Sequence, residues 1–211
     1  ELQFYLGPAR SVRAECRLPH LLLSEAVASD ICFVFNDLSV DYPLHPDCLS
    51  IPQAQAALRW LAHFHAHFWE ADAGGGSFPS GLWASGDYWG LAKKDNAAAL
   101  ESIPARLAAS SKVFKSHGAW DAVKTLGQRL VNAAYALDGQ LRKSKGFVRH
   151  RTLIHGDFKT ANFFLREVGA STYEAAVLDF EFAGPGLAAV DLAYLLFPDL
   201  RMNLLDEEPA L

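Results

Sequence analysis

The segment IHGDFKTANFFL, residues 154–165, sets His155, Asp157 and Asn162 in the spacing H-x-D-x-x-x-x-N between two apolar runs. Polar side chains this close to apolar sequence are costly to bury unless partners or a ligand satisfy them. A second carboxylate, Asp179, closes a further apolar run beyond an intervening turn. Two strands of that length joined by a turn would bring Asn162 and Asp179 to the same end of a hairpin. The chemistry that needs this set is phosphoryl transfer. One carboxylate, Asp157, accepts the proton of an attacking hydroxyl, while an amide oxygen and the second carboxylate suit magnesium, a hard cation that takes oxygen ligands. A metal-dependent hydrolase built on Asp157 and Asp179 is a competing chemistry, but it needs further ligands that the sequence does not offer.

The elements that must hold these residues can be read from the pattern around them. HRTLIHGD, NFFLR and YEAAVLDFEF are short and strand-like, and GPG then introduces a helix, LAAVDLAYLLF. Upstream, Ala54, Leu58, Leu61, Phe64, His65 and Phe68 recur at helical spacing over residues 51–71, with Pro52 suited to a first turn. Residues 96–115 and 119–143 read as two more helices, the second ending at RKSKG. ELQFYLG looks like the tail of a helix closed by Gly7 and Pro8, and HLLLSEA with ICFVFND suggests a hairpin over the turn-prone SD. DLSVDYPLHPD, rich in proline and aspartate, is a connector.

Composition narrows the function classes. With 211 residues, half of them apolar, the chain can bury a substantial core and is not disordered. A formal net charge of −5 leaves no basic footprint for nucleic acid. No run reaches the roughly 18 apolar residues of a membrane span, and the first residues lack the order of a signal peptide. Three cysteines without CxxC spacing give neither a disulfide framework nor a zinc site, which fits a reducing, cytoplasmic setting. The chain begins at Glu1 without methionine and ends abruptly in LLDEEPAL, so it reads as a piece of something longer.

IHGDFKTANFFL followed by VLDFEFAGPGLAAVDLAYLL resembles the aminoglycoside phosphotransferase and choline kinase-like group, in particular its ecdysteroid kinase-like, CHK kinase-like branch. FHAHFW is similar to that branch's LHAxFW helix, ELQFY to its E-x-x-F-Y helix, and FVFNDLS to its lobe-connecting segment. The resemblance implies an α+β, protein kinase-like fold with a mostly helical C-lobe, a catalytic β-hairpin and a truncated N-lobe. Residues 1–38 would be the remnant of the N-terminal lobe and hinge, and 39–211 the catalytic lobe, itself cut short. It implies an ATP- and Mg-dependent kinase that phosphorylates a hydroxyl of a small molecule, without nucleic-acid or membrane partners. Asp157 would be the catalytic base, Asn162 and Asp179 the magnesium ligands, and the backbone near Asn36 and Leu38 the adenine contact. Glu1 would be the helix glutamate that pairs with a phosphate-binding lysine, which would lie upstream of residue 1. A pseudokinase-type nucleotide-binding module without turnover is the alternative.

Other residues carry two readings each. His155 is a structural histidine bonded to loop backbone or a proton carrier. Lys159 neutralises phosphate charge during transfer or is a solvated loop lysine. Glu181 reaches a metal through water or makes a packing or salt-bridge contact. Asp191 hydrogen-bonds the catalytic loop from its helix, as the family resemblance implies, or is an exposed carboxylate. His63 and His67 share a helix face but lack the glutamate of H-E-x-x-H and a third ligand, while His65 packs beneath the catalytic loop. GGG at 74–76 is a flexible loop rather than a dinucleotide fingerprint. Trp83, Tyr88 and Trp89 are read as core under a loop, with an acceptor-pocket wall as the other option.

Overall fold

The computed structural model describes residues 1–27, 30–69, 78, 80–91, 93, 95–143 and 150–197. The GGG tract, most of RKSKG and the closing LLDEEPAL lie outside the described residues. In chain order the elements are α1 (Leu2–Leu6), β1 (Leu21–Val27), β2 (Asp30–Phe35), α2 (Ile51–His67), α3 (Asn96–Glu101), α4 (Ile103–Ala109), α5 (Ser111–Ser116), α6 (Trp120–Val123), α7 (Leu126–Lys143), β3 (Arg151–Ile154), β4 (Phe163–Gly169), β5 (Thr172–Val177), β6 (Gly184–Leu187) and α8 (Ala188–Leu196). The fold is α+β. Its contacts divide into two units, Glu1–Asp87 with His150–Leu211, and Tyr88–Arg149.

The first unit carries the candidate site. Its strands form three antiparallel pairs, β1 with β2, β3 with β6 and β4 with β5. Ser50 and Gln53 form a capping box, with the Ser50 N–H donating to Gln53 Oε1 at 2.9 Å, and Pro52 occupies the first turn of α2. From there Ala54, Ala57, Trp60, Leu61 and Phe64 repeat at three- and four-residue steps and are all buried. That stripe meets Phe163, Leu165, Ala175 and Val177 of the β4–β5 pair, with Phe4 and Phe180, in one hydrophobic core. Phe4 and Phe180 stack with ring centroids 3.8 Å apart. The β1–β2 pair differs, because Leu22, Leu23, Ile31 and Val34 stay exposed.

Three sequence expectations are corrected. Residues 96–115 and 119–143 are not two helices but five. Pro104 lies in the first turn of α4, where its missing N–H ends the ladder from α3, and Ser102 and Ser110 sit at the joints on either side. Gly118, at φ +67°, turns the chain between α5 and α6. GPG is a strand rather than a helix start, since Gly184–Leu187 pairs with all four residues of β3 before α8 begins. The helix read over 51–71 stops at His67. Among the described residues no helix is long and apolar enough to cross a membrane.

Candidate active site

Strand β3 leads directly into a loop of buried polar residues. Phe158, wholly buried, anchors that loop by stacking near Phe163 (5.3 Å) and Trp60 (5.8 Å). Asp157 is 5% exposed, and its Oδ2 accepts from Lys159 Nζ at 2.7 Å and from Asn162 Nδ2 at 3.3 Å. Asn162 Nδ2 also donates to the Asp157 carbonyl at 2.8 Å. The amide nitrogen is thus committed to Asp157, and Asn162 Oδ1 is left as an oxygen donor. Both bonds on the Asp157 carboxylate fall on Oδ2, so Oδ1 is the oxygen open to a proton.

His155 is structural in its contacts. Its Nε2 lies 2.9 Å from the Leu178 carbonyl, and its Nδ1 accepts the Asp157 N–H at 3.3 Å, which puts the ring hydrogen on Nε2. Complete burial pushes the imidazole below its usual range, against the opposing pull of Asp191, and the ring is neutral. Asp191 is wholly buried, which removes the exposed-carboxylate reading. Its Oδ2 accepts the His155 N–H at 2.9 Å and its Oδ1 accepts the Gly156 N–H at 2.8 Å.

The β4–β5 register sets the second half. Phe163 pairs with Val177, and one step further the Leu178 N–H donates to the Asn162 carbonyl at 3.0 Å. Asp179 follows in a left-handed conformation, φ +68°, from which Phe180 enters the core. Asp tolerates that region better than most residues, and outliers of this kind cluster at functional sites. Glu1 is held above the usual carboxylate range, chiefly by burial and then by the Asp179 charge. Glu181 adds to this, and a hydrogen bond from the Phe180 backbone opposes it. Glu1, Asp179 and Glu181 thus lie within electrostatic reach of one another. Beside them a cavity of about 600 Å³ is lined by Glu1, Phe33, Trp83, Phe180 and Glu181 among others.

Asn36 and Leu38 are each held by contacts of their own. Asn36 exchanges backbone N–H and side-chain bonds with His20, its N–H donating to the His20 carbonyl (3.1 Å) and its Oδ1 accepting the His20 N–H (2.6 Å). Leu38 is buried with Tyr42 and Ala176, on the β4–β5 pair.

Some features escaped the sequence reading. Trp83 is 47% and Trp89 61% exposed, so neither is core. Trp83 is fixed instead by its Nε1–H on the Glu181 carbonyl, 2.7 Å, and by lying parallel to Phe182. His65, expected only to pack beneath the loop, places its Nε2 2.8 Å from Asp191 Oδ2. The FHAHFW motif was the available signal, but a partner 126 residues away in sequence was not legible from it. His67 Nε2 lies 3.1 Å from Ser11 Oγ, while His63 is exposed.

Asn162 and Asp179 offer oxygen donors of the kind a hard divalent cation takes. Among the described residues no group of three or more His, Cys, Asp or Glu could hold a metal. A magnesium ion here would complete its shell with phosphate and water oxygens, its usual habit at phosphoryl-transfer sites. A family model described as a phosphotransferase enzyme family matches residues 18–210, which include every candidate site residue except Glu1. No curated protein matches the chain.

Proposed function

Because the chain belongs to the phosphotransferase enzyme family, we propose that it is an ATP- and magnesium-dependent kinase acting on a hydroxyl of a small molecule. The reading extends to a protein kinase-like fold of the CHK kinase-like branch, with residues 1–38 from the N-terminal lobe and hinge and 39–211 forming the catalytic lobe. The observation that carries it is the union of two halves at one hairpin end. Asn162 is bonded through its side chain to Asp157 and through its carbonyl to the residue before Asp179.

In this reading Asp157 Oδ1 takes the proton of the acceptor hydroxyl as it attacks. Asn162 and Asp179 would hold the magnesium, which supplies charge neutralisation for the transferring phosphoryl group. Lys159, now on Asp157 Oδ2, can swing its ammonium to the phosphate, because its side chain is 40% exposed. The protein does little covalent work, and its contribution is positioning and electrostatic stabilisation. The backbone near Asn36 and Leu38 receives the adenine, and Glu1 orients a phosphate-binding lysine. Trp83 and the cavity beside Glu181 are the candidate wall for the acceptor. Cys16, Cys32 and Cys48 are free thiols, which suits a cytoplasmic setting.

The test is Asp157→Asn in the full-length protein, with ADP formation measured with and without acceptor alcohols. Turnover should fall about 10²- to 10⁴-fold while MgATP binding is retained. Near wild-type turnover would remove Asp157 from the base role. A wild-type protein that binds MgATP and forms no ADP with any acceptor would replace the kinase with a binding module.

A further inference from the structure

Asp191 collects donors from two directions. From the loop it receives the His155 and Gly156 N–H groups, one on each oxygen. The remaining contact comes from α2, where His65 Nε2 lies 2.8 Å from Oδ2, and with both carboxyl oxygens already accepting we read it as an N–H donated by the imidazole. His65 is 6% exposed and Asp191 0%, so no solvent competes for this bond. The histidine is itself held from the other side, where Thr152 Oγ1 in β3 donates to the His65 carbonyl at 2.7 Å. Three elements, α2, β3 and α8, thus converge on two consecutive peptide groups immediately before Asp157.

From this convergence we infer that His65 is a positioning residue for the Asp157 loop. Its imidazole N–H fixes the Asp191 carboxylate, and that carboxylate fixes the two amides from which Asp157 is suspended. The part concerning turnover rests on the phosphotransfer reading above; the part concerning loop order does not. The chain of contact is short. His65 touches Asp191, Asp191 touches residues 155 and 156, and the Asp157 N–H closes back onto His155 Nδ1. A carboxylate that loses one of three donors in a dry site can rotate toward whatever polar group remains, and the loop amides follow it.

Two substitutions separate positioning from packing. His65→Leu fills similar space without a donor, whereas His65→Gln carries an amide N–H to about the reach of Nε2. Hydrogen exchange resolved to the His155 and Gly156 amides should accelerate by about tenfold or more in His65→Leu, the scale of one hydrogen bond to a charge. The Thr152 and Leu153 amides should keep their wild-type rates, and His65→Gln should restore protection. In the activity arm, His65→Leu should lower kcat about tenfold with KM for MgATP changed less than about twofold, and Gln should recover most of the loss. Unchanged exchange at residues 155 and 156, equal loosening across β3, or a Gln variant as impaired as Leu would overturn the inference. A wild-type protein without phosphotransfer would sink the proposed function alone, because the exchange measurement still decides the role of His65.

Discussion

Gly156 and Gly81 offer a controlled test of how tightly the catalytic loop is built. Both have positive φ angles of nearly the same value, +87° and +86°. Alanine at either position incurs a positive-φ penalty of about 1–2 kcal/mol, and any gain from a stiffer unfolded chain is common to both. The surroundings differ. A Cβ on Gly156 would lie 2.4 Å from the Phe182 carbonyl oxygen and 2.8 Å from the Asp87 nitrogen, both backbone atoms. For a Cβ on Gly81 the three nearest atoms all belong to the side chain of Gln3, the closest at 2.7 Å, and Gln3 is exposed and can swing away. Relief at Gly156 therefore requires a peptide to move. Overpacking of that kind costs about 1–3 kcal/mol. Movement would also strain the 2.8 Å bond from the Gly156 N–H to Asp191, where a hydrogen bond to a charge is worth about 1.5–3 kcal/mol. Gly156→Ala should thus be less stable than Gly81→Ala by about 3 kcal/mol, or by about 6–12 °C in Tm for a protein of this size. Urea unfolding and thermal melting of both variants give the comparison. Equal losses would mean that the Gly156 environment yields freely, and the rigid suspension of Asp157 would be refuted.

Asp179→Ala should weaken magnesium-dependent nucleotide binding by at least the 10- to 100-fold typical of losing a ligand's supporting partner, as read by calorimetry with a non-hydrolysable MgATP analogue. Unchanged affinity and magnesium dependence would remove Asp179 from the metal site. His155 gives a pH signature. Its folded-state pKa is depressed by burial, so its contribution is present above the unfolded value of about 6.5 and is lost as pH falls below it. Because the unfolded chain takes up the extra proton, stability should drop by up to about 1.4 kcal/mol per pH unit between pH 6.5 and 5. Urea unfolding across that range should show this component of the slope disappear in His155→Phe; an identical slope in the variant would contradict a buried neutral imidazole.

What the sequence determined by itself was local. H-x-D-x-x-x-x-N keeps Asp157 and Asn162 close in space, because they are only five residues apart and the polar stretch between them interrupts two apolar runs. The two apolar runs around the next turn have one register that buries Phe163, Leu165 and Val177 together, so the meeting of Asn162 with the Leu178–Asp179 step was legible in advance. The α2 stripe was equally clear, since its period is a property of the helix. The tertiary structure decided whatever depends on groups distant in the chain. Nothing local tells that His65 and Asp191 share a bond, that Glu1 feels the Asp179 charge, or that GPG pairs with β3. The broken helices between residues 96 and 143 were misread for a related reason. Their apolar content resembles continuous helix, and proline, serine and glycine at the joints decide the breaks. Periodicity reports which face is buried. Which partner meets that face, and whether a buried carboxylate there finds its donors, is settled only when the chain closes on itself.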